Sequence, residues 1–386
     1  MKDFIFKCPT RIIYGEGKSF ELHQLCRELK AEKIIIVTGK RIEKTKQFQT
    51  IWDKLVEQKI EVTVFSDTKP EPPVADVDLA AEKLREAQVD LVIAVGGGSV
   101  MDMAKAMCML KTNEGSCREY LFGGNRIVEK QSLPLICVPT TAGSGSEVTA
   151  SSVISDEEKQ CKLSITHEYL VPKIAVVDPM IQLDMPVDIT ASTGMDALTH
   201  AIEAYVSKNA NPLSDMYAEM TIKLIGKSLR TAVFRPTDVE ARGNMALAST
   251  LGAVAFLNGG LGAVHGISQA MGGIAHVSHG MANAMMLPYV MNKNRKGNIE
   301  KFSTIASLLG ENIQGLSLAD ASHKAIDAVK AMISDFQIPQ SLGEVGITKD
   351  MFPAIVKGTM EYRLLAMNPV SYTEEIIYQI LDEAMK

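Results

Sequence analysis

Asp196 and His200 stand four residues apart in Gly194-Met195-Asp196-Ala197-Leu198-Thr199-His200. On a helix that spacing puts carboxylate and imidazole on one face, roughly 6 Å apart, where they can share one divalent ion. His265, His276 and His279 follow in a segment that is otherwise small and apolar. A single histidine is usually a hydrogen-bonded core residue. A cluster of them in a chain with only 7 histidines has no obvious packing reason. These side chains can complete an N₃O set around Fe²⁺ or Zn²⁺ with an open position for a substrate oxygen. A metal so held can act as a Lewis acid on that oxygen.

A second chemical signal precedes it. Gly96-Gly97-Gly98-Ser99 follows the apolar run Leu91–Val95 and leads into good helix formers from Val100 to Ala106. Glycines let a ligand approach the backbone, and the helix N-terminus behind them offers N–H groups and a positive dipole end to a pyrophosphate. The same glycines also suit a tight strand-to-helix turn. The segment Pro139–Thr149 again follows a strand and is rich in hydroxyls and small residues. It can line a cofactor or substrate, or simply connect two elements. Neither stretch is G-x-G-x-x-G, so dinucleotide binding would rest on two non-standard loops.

The elements that must carry these groups are legible in outline. Lys33–Thr38, Val62–Phe65, Leu91–Val95, Pro134–Val138 and Ile174–Pro179 are short β-branched runs between helical patterns, the mark of a parallel sheet buried on both faces. After residue 185 the strand signal fades, and Met195–Ser207, Asp215–Thr231 and Leu318–Phe336 read as helices. The expected architecture is an α/β, doubly wound, mostly parallel dinucleotide-binding domain over residues 1–185, followed by an all-helical metal-binding domain over 186–386.

Composition excludes several function classes. Acidic and basic residues, 46 against 40, are mixed along the 386 residues and leave a net charge of -6, so nucleic acid is not an expected partner. No apolar run reaches the length of a membrane span and no signal-peptide core opens the chain, so the expected location is the cytoplasm, away from membranes. The 6 cysteines lack C-x-x-C spacing and read as reduced, structurally bland thiols.

Taken together, these segments resemble the iron-containing (group III) alcohol dehydrogenases over essentially the whole chain. The resemblance rests on Gly96–Ser99 with Asp102 and Lys105, on Pro139-Thr140-Thr141-Ala142-Gly143 through Glu147-Val148-Thr149, on Gly194–Ala201 with Glu203, and on the block His265–Asn283. It implies a metal-dependent, NAD(P)-linked oxidoreductase acting on a small primary alcohol or aldehyde, assembled as a homo-oligomer, with a dimer expected. By the resemblance Asp196, His200, His265 and His279 are the ligands of Fe²⁺, with Zn²⁺ as the other ion the set suits, and His276 is not a ligand. Gly39, Lys40, Gly97, Gly98, Ser99, Asp102, Thr140, Thr141, Thr149 and Lys162 fall at cofactor positions. Ser151, Phe256 and Arg363 are candidates for the substrate wall.

Two departures carry consequences. Many members have a histidine four residues after the first histidine of the block, where this chain has Gln269. An amide cannot titrate near neutrality, so a proton relay would need another group, and His276 is the nearest in sequence. NAD-preferring members often place an aspartate after the second strand, where this chain has Gly39-Lys40-Arg41. The missing carboxylate and the added cations favour NADP(H). Arg363 raises a narrower expectation, reduction of a short anionic aldehyde such as sulfoacetaldehyde or succinic semialdehyde. The competing enzyme class is a dehydroquinate-synthase-like lyase; it needs phosphate-binding cations, and Ala263–Gly280 contains no Lys or Arg.

Overall fold

The computed structural model describes residues 3–159 and 161–386. Its contacts divide the chain into two compact units, one of Cys8–Met185 and one of Pro186–Lys386 joined by the N-terminal residues through Lys7.

The first unit is built on six parallel strands: β1 (Arg11–Tyr14), β2 (Lys33–Val37), β3 (Glu61–Phe65), β4 (Leu91–Gly96), β5 (Leu135–Pro139) and, after a separate pair β6 (Ser151–Asp156) and β7 (Cys161–Thr166), β8 (Ile174–Val177). Their order across the sheet is β1-β8-β5-β4-β2-β3. Successive side chains on a strand point to opposite faces. Accordingly Ile34, Ile36, Leu91, Ile93 and Val95 enter one core, while Ile35, Val37, Val92 and Ala94 enter the other. Both faces are covered, which is why these strands have no polar alternation. Because the strands run parallel, their carboxyl ends share one edge. There the Thr38 hydroxyl donates to the Val95 carbonyl at 2.7 Å and the Thr140 N–H donates to the Gly96 carbonyl at 3.0 Å. The antiparallel pair β6–β7 has no counterpart in the sequence reading, because Ser-Ser-Val-Ile-Ser-Asp has too little apolar content to stand out.

The second unit has helices and no strand among its described residues. Its helix Val187–Val206 begins eight residues before the stretch expected from composition. Thr190, Ser192 and Thr193 look like helix breakers, but their hydroxyls donate to the carbonyls of Pro186 (2.8 Å), Asp188 (2.9 Å) and Ile189 (2.7 Å) one turn back. Gly280 sits against this helix: a Cβ there would lie 2.7 Å from the Ser192 carbonyl. No single helix among the described residues is long and apolar enough to cross a membrane.

The thiols follow the bland reading. Cys26, Cys108, Cys117 and Cys137 are buried, whereas Cys8 is exposed and Cys161 half-exposed. Burial pushes the Cys26 thiol up to about 11 and raises the other five as well, so the order of reaction is set by access, which only Cys8 and Cys161 offer. In the native protein at pH 8, a thiol reagent should therefore modify Cys8 and Cys161 quickly and the remaining four only on unfolding. Peptide mapping of the labelled protein checks this, and rapid labelling of Cys108 or Cys137 would contradict the burial.

Candidate functional site

The chemistry in the helical unit starts from one face of the helix Val187–Val206, where Asp196, His200 and Glu203 recur at helical spacing and all three are buried. Long-range packing adds the rest. His265 comes from the helix Ala263–Ala275 and His279 opens the helix His279–Arg295. Asp196, His265 and His279 each offer a ligand atom, all within 4.8 Å of one another. The Nε2 atoms of His200, His265 and His279 lie 3.9, 3.9 and 3.7 Å from Asp196 Oδ1. Donors bonded to one ion at about 2 Å sit roughly 3 to 3.6 Å apart, so a contraction of a few tenths of an ångström suffices.

Three further observations fit a cation. Glu203 accepts the His265 Nδ1–H at 2.6 Å, which leaves the Nε2 lone pair of that ring facing Asp196. Glu203 is itself held by the backbone N–H groups of Gly262 (2.9 Å) and Val264 (2.6 Å). The Asn283 amide nitrogen stands among the same donors, 2.6 Å from Asp196 Oδ1, 3.1 Å from His279 Nε2 and 3.3 Å from His265 Nε2. A positive dipole end amid converging lone pairs is the electrostatic role that an ion fills. Burial would raise the Asp196 carboxyl, but without an ion the imidazoles of His200, His279 and His265, when protonated, together with the Asn283 amide, outweigh it and hold it below the usual range.

The other expected residues are placed unevenly. The half-buried Phe256 stacks obliquely on His200, with ring centroids 4.6 Å apart, so it walls the ligand cluster. His276 lies outside that cluster; exposed, it caps the helix Ala263–Ala275 with a left-handed φ of 55°, and Gln269 is exposed one turn after His265. Arg363 is exposed at the start of the short 3₁₀ helix Arg363–Met367.

In the sheet unit, Gly97 caps the helix Gly98–Thr112 without a side-chain hydrogen bond. A Cβ on Gly98 would come within 2.9 Å of the Ser144 Oγ, so glycine is what lets the two loops touch. Thr140 and Thr141 follow β5 on the same edge, and Ser99 accepts the Glu71 N–H at 3.1 Å. Glu71 pairs in turn with Lys162 on β7. Asp102 and Thr149, expected at the cofactor, belong to a buried network. Lys105 is fully buried and donates to Ser146 Oγ, Thr149 Oγ1 and the Ser151 carbonyl, each at 2.8 Å. Asp102 accepts from Ser146 Oγ at 2.6 Å and from the Val153 N–H at 3.1 Å. Burial pushes Lys105 down and Asp102 up. Ser151, read as substrate wall, shares a hydrogen bond with Thr166 at 2.9 Å. Glu203, Asn283 and Lys105 entered the sequence reading only inside motifs. Glu203 falls seven residues after Asp196, on the same helical face; Asn283 and Lys105 have no comparable local signal.

Comparison with known proteins decides the family. The profile of the iron-containing alcohol dehydrogenases matches residues 9–179, and the C-terminal profile of the Fe-containing alcohol dehydrogenase family matches residues 190–385. The chain belongs to the iron-containing alcohol dehydrogenase family. Among relatives in sequence, long-chain-alcohol dehydrogenase 1 of Geobacillus thermodenitrificans is 40% identical over 372 residues, covering 96% of this chain and 94% of that one. Among solved structures, a 1,3-propanediol oxidoreductase superposes with a TM-score of 0.95 at 36% identity and covers all of both chains. Sulfoacetaldehyde reductase from Bifidobacterium kashiwanohense, solved in complex with NAD⁺, superposes with a TM-score of 0.90 at 30% identity, covering 100% of this chain and 99% of that one.

Proposed function

We propose that this member is an iron-dependent oxidoreductase that moves a hydride between NAD(P)(H) and a small primary alcohol or its aldehyde. The observation that carries the reading is the convergence of three imidazole Nε2 atoms on Asp196 Oδ1, with Glu203 orienting one of them. Asp196, His200, His265 and His279 hold the ion. When bound, it supplies Lewis acidity, which polarises a carbonyl and brings an alcohol O–H toward neutral pKa. The nicotinamide supplies the hydride donor or acceptor.

The remaining work falls to the chain. Glu203 fixes the His265 ring in the tautomer that presents Nε2, and Phe256 shields one side of the donors and excludes water. His276, exposed, is the imidazole that can pass a proton to solvent, a role Gln269 cannot take. In the sheet unit Gly97, Gly98 and Ser99 present helix N-terminal amides to the pyrophosphate. Thr140, Thr141 and Lys162 add polar contacts, and Gly39 and Lys40 lie at the end of β2. The test is anaerobic turnover of NAD(P)H with a panel of short aldehydes, using protein loaded with Fe²⁺ and protein stripped by chelation. Equal rates in the two samples would overturn the metal assignment.

A narrower substrate reading has its own support. Arg363 is an exposed cation, and the chain is similar along its length to a sulfoacetaldehyde reductase. A guanidinium clamping a remote carboxylate or sulfonate by paired charge-assisted bonds would favour anionic aldehydes by about 30-fold. Arg363→Ala should then lower kcat/KM for sulfoacetaldehyde and succinic semialdehyde by about that factor while sparing propanal and butanal. A uniform change across the four aldehydes would leave the generic alcohol dehydrogenase reading.

A further inference from the structure

The structure changes what surrounds Gly39. Its φ of −110° and ψ of 153° are ordinary extended values. A Cβ there would meet nothing nearer than the Thr68 carbonyl oxygen at 3.9 Å. Neither backbone nor packing requires a glycine, so the small residue leaves open space along the end of β2. Gly39 forms an isolated antiparallel bridge with Asp67, two residues past the end of β3. β2 lies beside β4 in the sheet, and β4 leads into Gly97–Ser99. A dinucleotide whose pyrophosphate sits at that helix N-terminus extends its adenosine ribose over the end of the neighbouring strand.

The cations on this edge are already engaged. Lys40 Nζ lies 3.1 Å from Asp67 Oδ1. Arg41 donates to the Asp184 carbonyl at 2.9 Å, and Lys69 lies 2.8 Å from Asp76 Oδ2. A 2′-phosphate arriving beside Gly39 would have to take Lys40 from its partner and would face the Asp67 carboxylate. The 2′-hydroxyl of NAD(H) meets no such opposition and can donate to that carboxylate.

We infer that Asp67, supplied from the end of β3, sets this enzyme's preference to NAD(H), in place of the NADP(H) preference that Gly39-Lys40-Arg41 suggest by themselves. The inference rests on the proposed dinucleotide site. Repulsion between a carboxylate and a phosphate dianion in exposed, screened surroundings changes affinity by about 5- to 10-fold.

The experiment measures kcat/KM for NADH and NADPH, and NADPH affinity by fluorescence, in wild type, Asp67→Asn and Gly39→Asp. Wild type should prefer NADH. Asp67→Asn should improve NADPH about 5- to 10-fold and weaken NADH a few-fold, with the NADPH gain shrinking as salt rises. Gly39→Asp, which adds a second carboxylate on the same edge, should depress NADPH further. A wild-type preference for NADPH overturns the proposal, as does an unchanged ratio in Asp67→Asn alongside a response in Gly39→Asp; in the latter case the dinucleotide site itself stands. If neither variant moves either cofactor, the site reading falls with it.

Discussion

His265→Ala and His279→Ala should each lose most bound iron and at least about 100-fold of activity, a larger effect than the 10- to 100-fold typical of outer-shell partners. Each removes one of the three imidazole donors around Asp196 Oδ1. His276→Ala should retain iron, because that residue lies outside the donor group. Glu203→Gln is expected in between. It keeps the shape but replaces the carboxylate oxygen that accepts from His265 Nδ1 at 2.6 Å, and should weaken iron about 10- to 100-fold. Metal content by elemental analysis and retention against a graded chelator read all four variants independently of turnover. Ion binding to the folded state alone should also raise the Tm of wild type on loading, and this rise should vanish in His265→Ala. Full iron retention by His279→Ala would overturn the ligand set.

Lys105→Met should cost the sheet unit about 3 to 5 kcal/mol, the scale for removing one partner of a buried charge pair. The ammonium is fully buried, has three oxygen acceptors at 2.8 Å, and lies 3.8 Å from Asp102 Oδ1. Without it, Asp102 loses its countercharge and the Ser146–Ser151 backbone loses its tie to the helix Gly98–Thr112. For a unit of this size the loss corresponds to a Tm roughly 10 °C lower. The same tie joins the helix bearing Gly98 and Ser99 to the loop after Thr140 and Thr141, so the KM for the nicotinamide cofactor should rise about 10-fold or more while iron content stays unchanged. The double variant Lys105→Met/Asp102→Asn removes both charges and should recover part of the Tm, giving a coupling energy by double-mutant cycle. A single variant with wild-type Tm and KM would show that the network neither supports the fold nor positions the loops.

Much of the fold was legible because it is written in local periodicity. Continuous apolar runs at Leu91–Val95 and Leu135–Val138 mark strands covered on both faces, since any polar residue there would be buried without a partner. Asp196, His200 and Glu203 share a helix face because 3.6 residues make a turn, and that holds before any tertiary contact forms. The early start of the helix Val187–Val206 was hidden by Thr190, Ser192 and Thr193, whose hydroxyls find partners in their own helix.

What spacing cannot encode is which distant elements meet, and there the tertiary structure decided. The approach of His265 and His279 to Asp196 depends on three helices packing closely, one of them against Gly280, where only a hydrogen fits beneath the Ser192 carbonyl. The motifs that carry Asp102 and Thr149 do not show that the two share one buried network. A lysine buried away from water must gather oxygens, and Lys105 takes Thr149 and Ser146, with Asp102 drawn into the same network. Lys40 is a cofactor candidate in sequence, and parallel pairing of β2 with β3 sets it beside Asp67, 3.1 Å from its Oδ1. Register and packing join residues that the chain keeps tens of positions apart, and the charges they bring together set each side chain's chemistry.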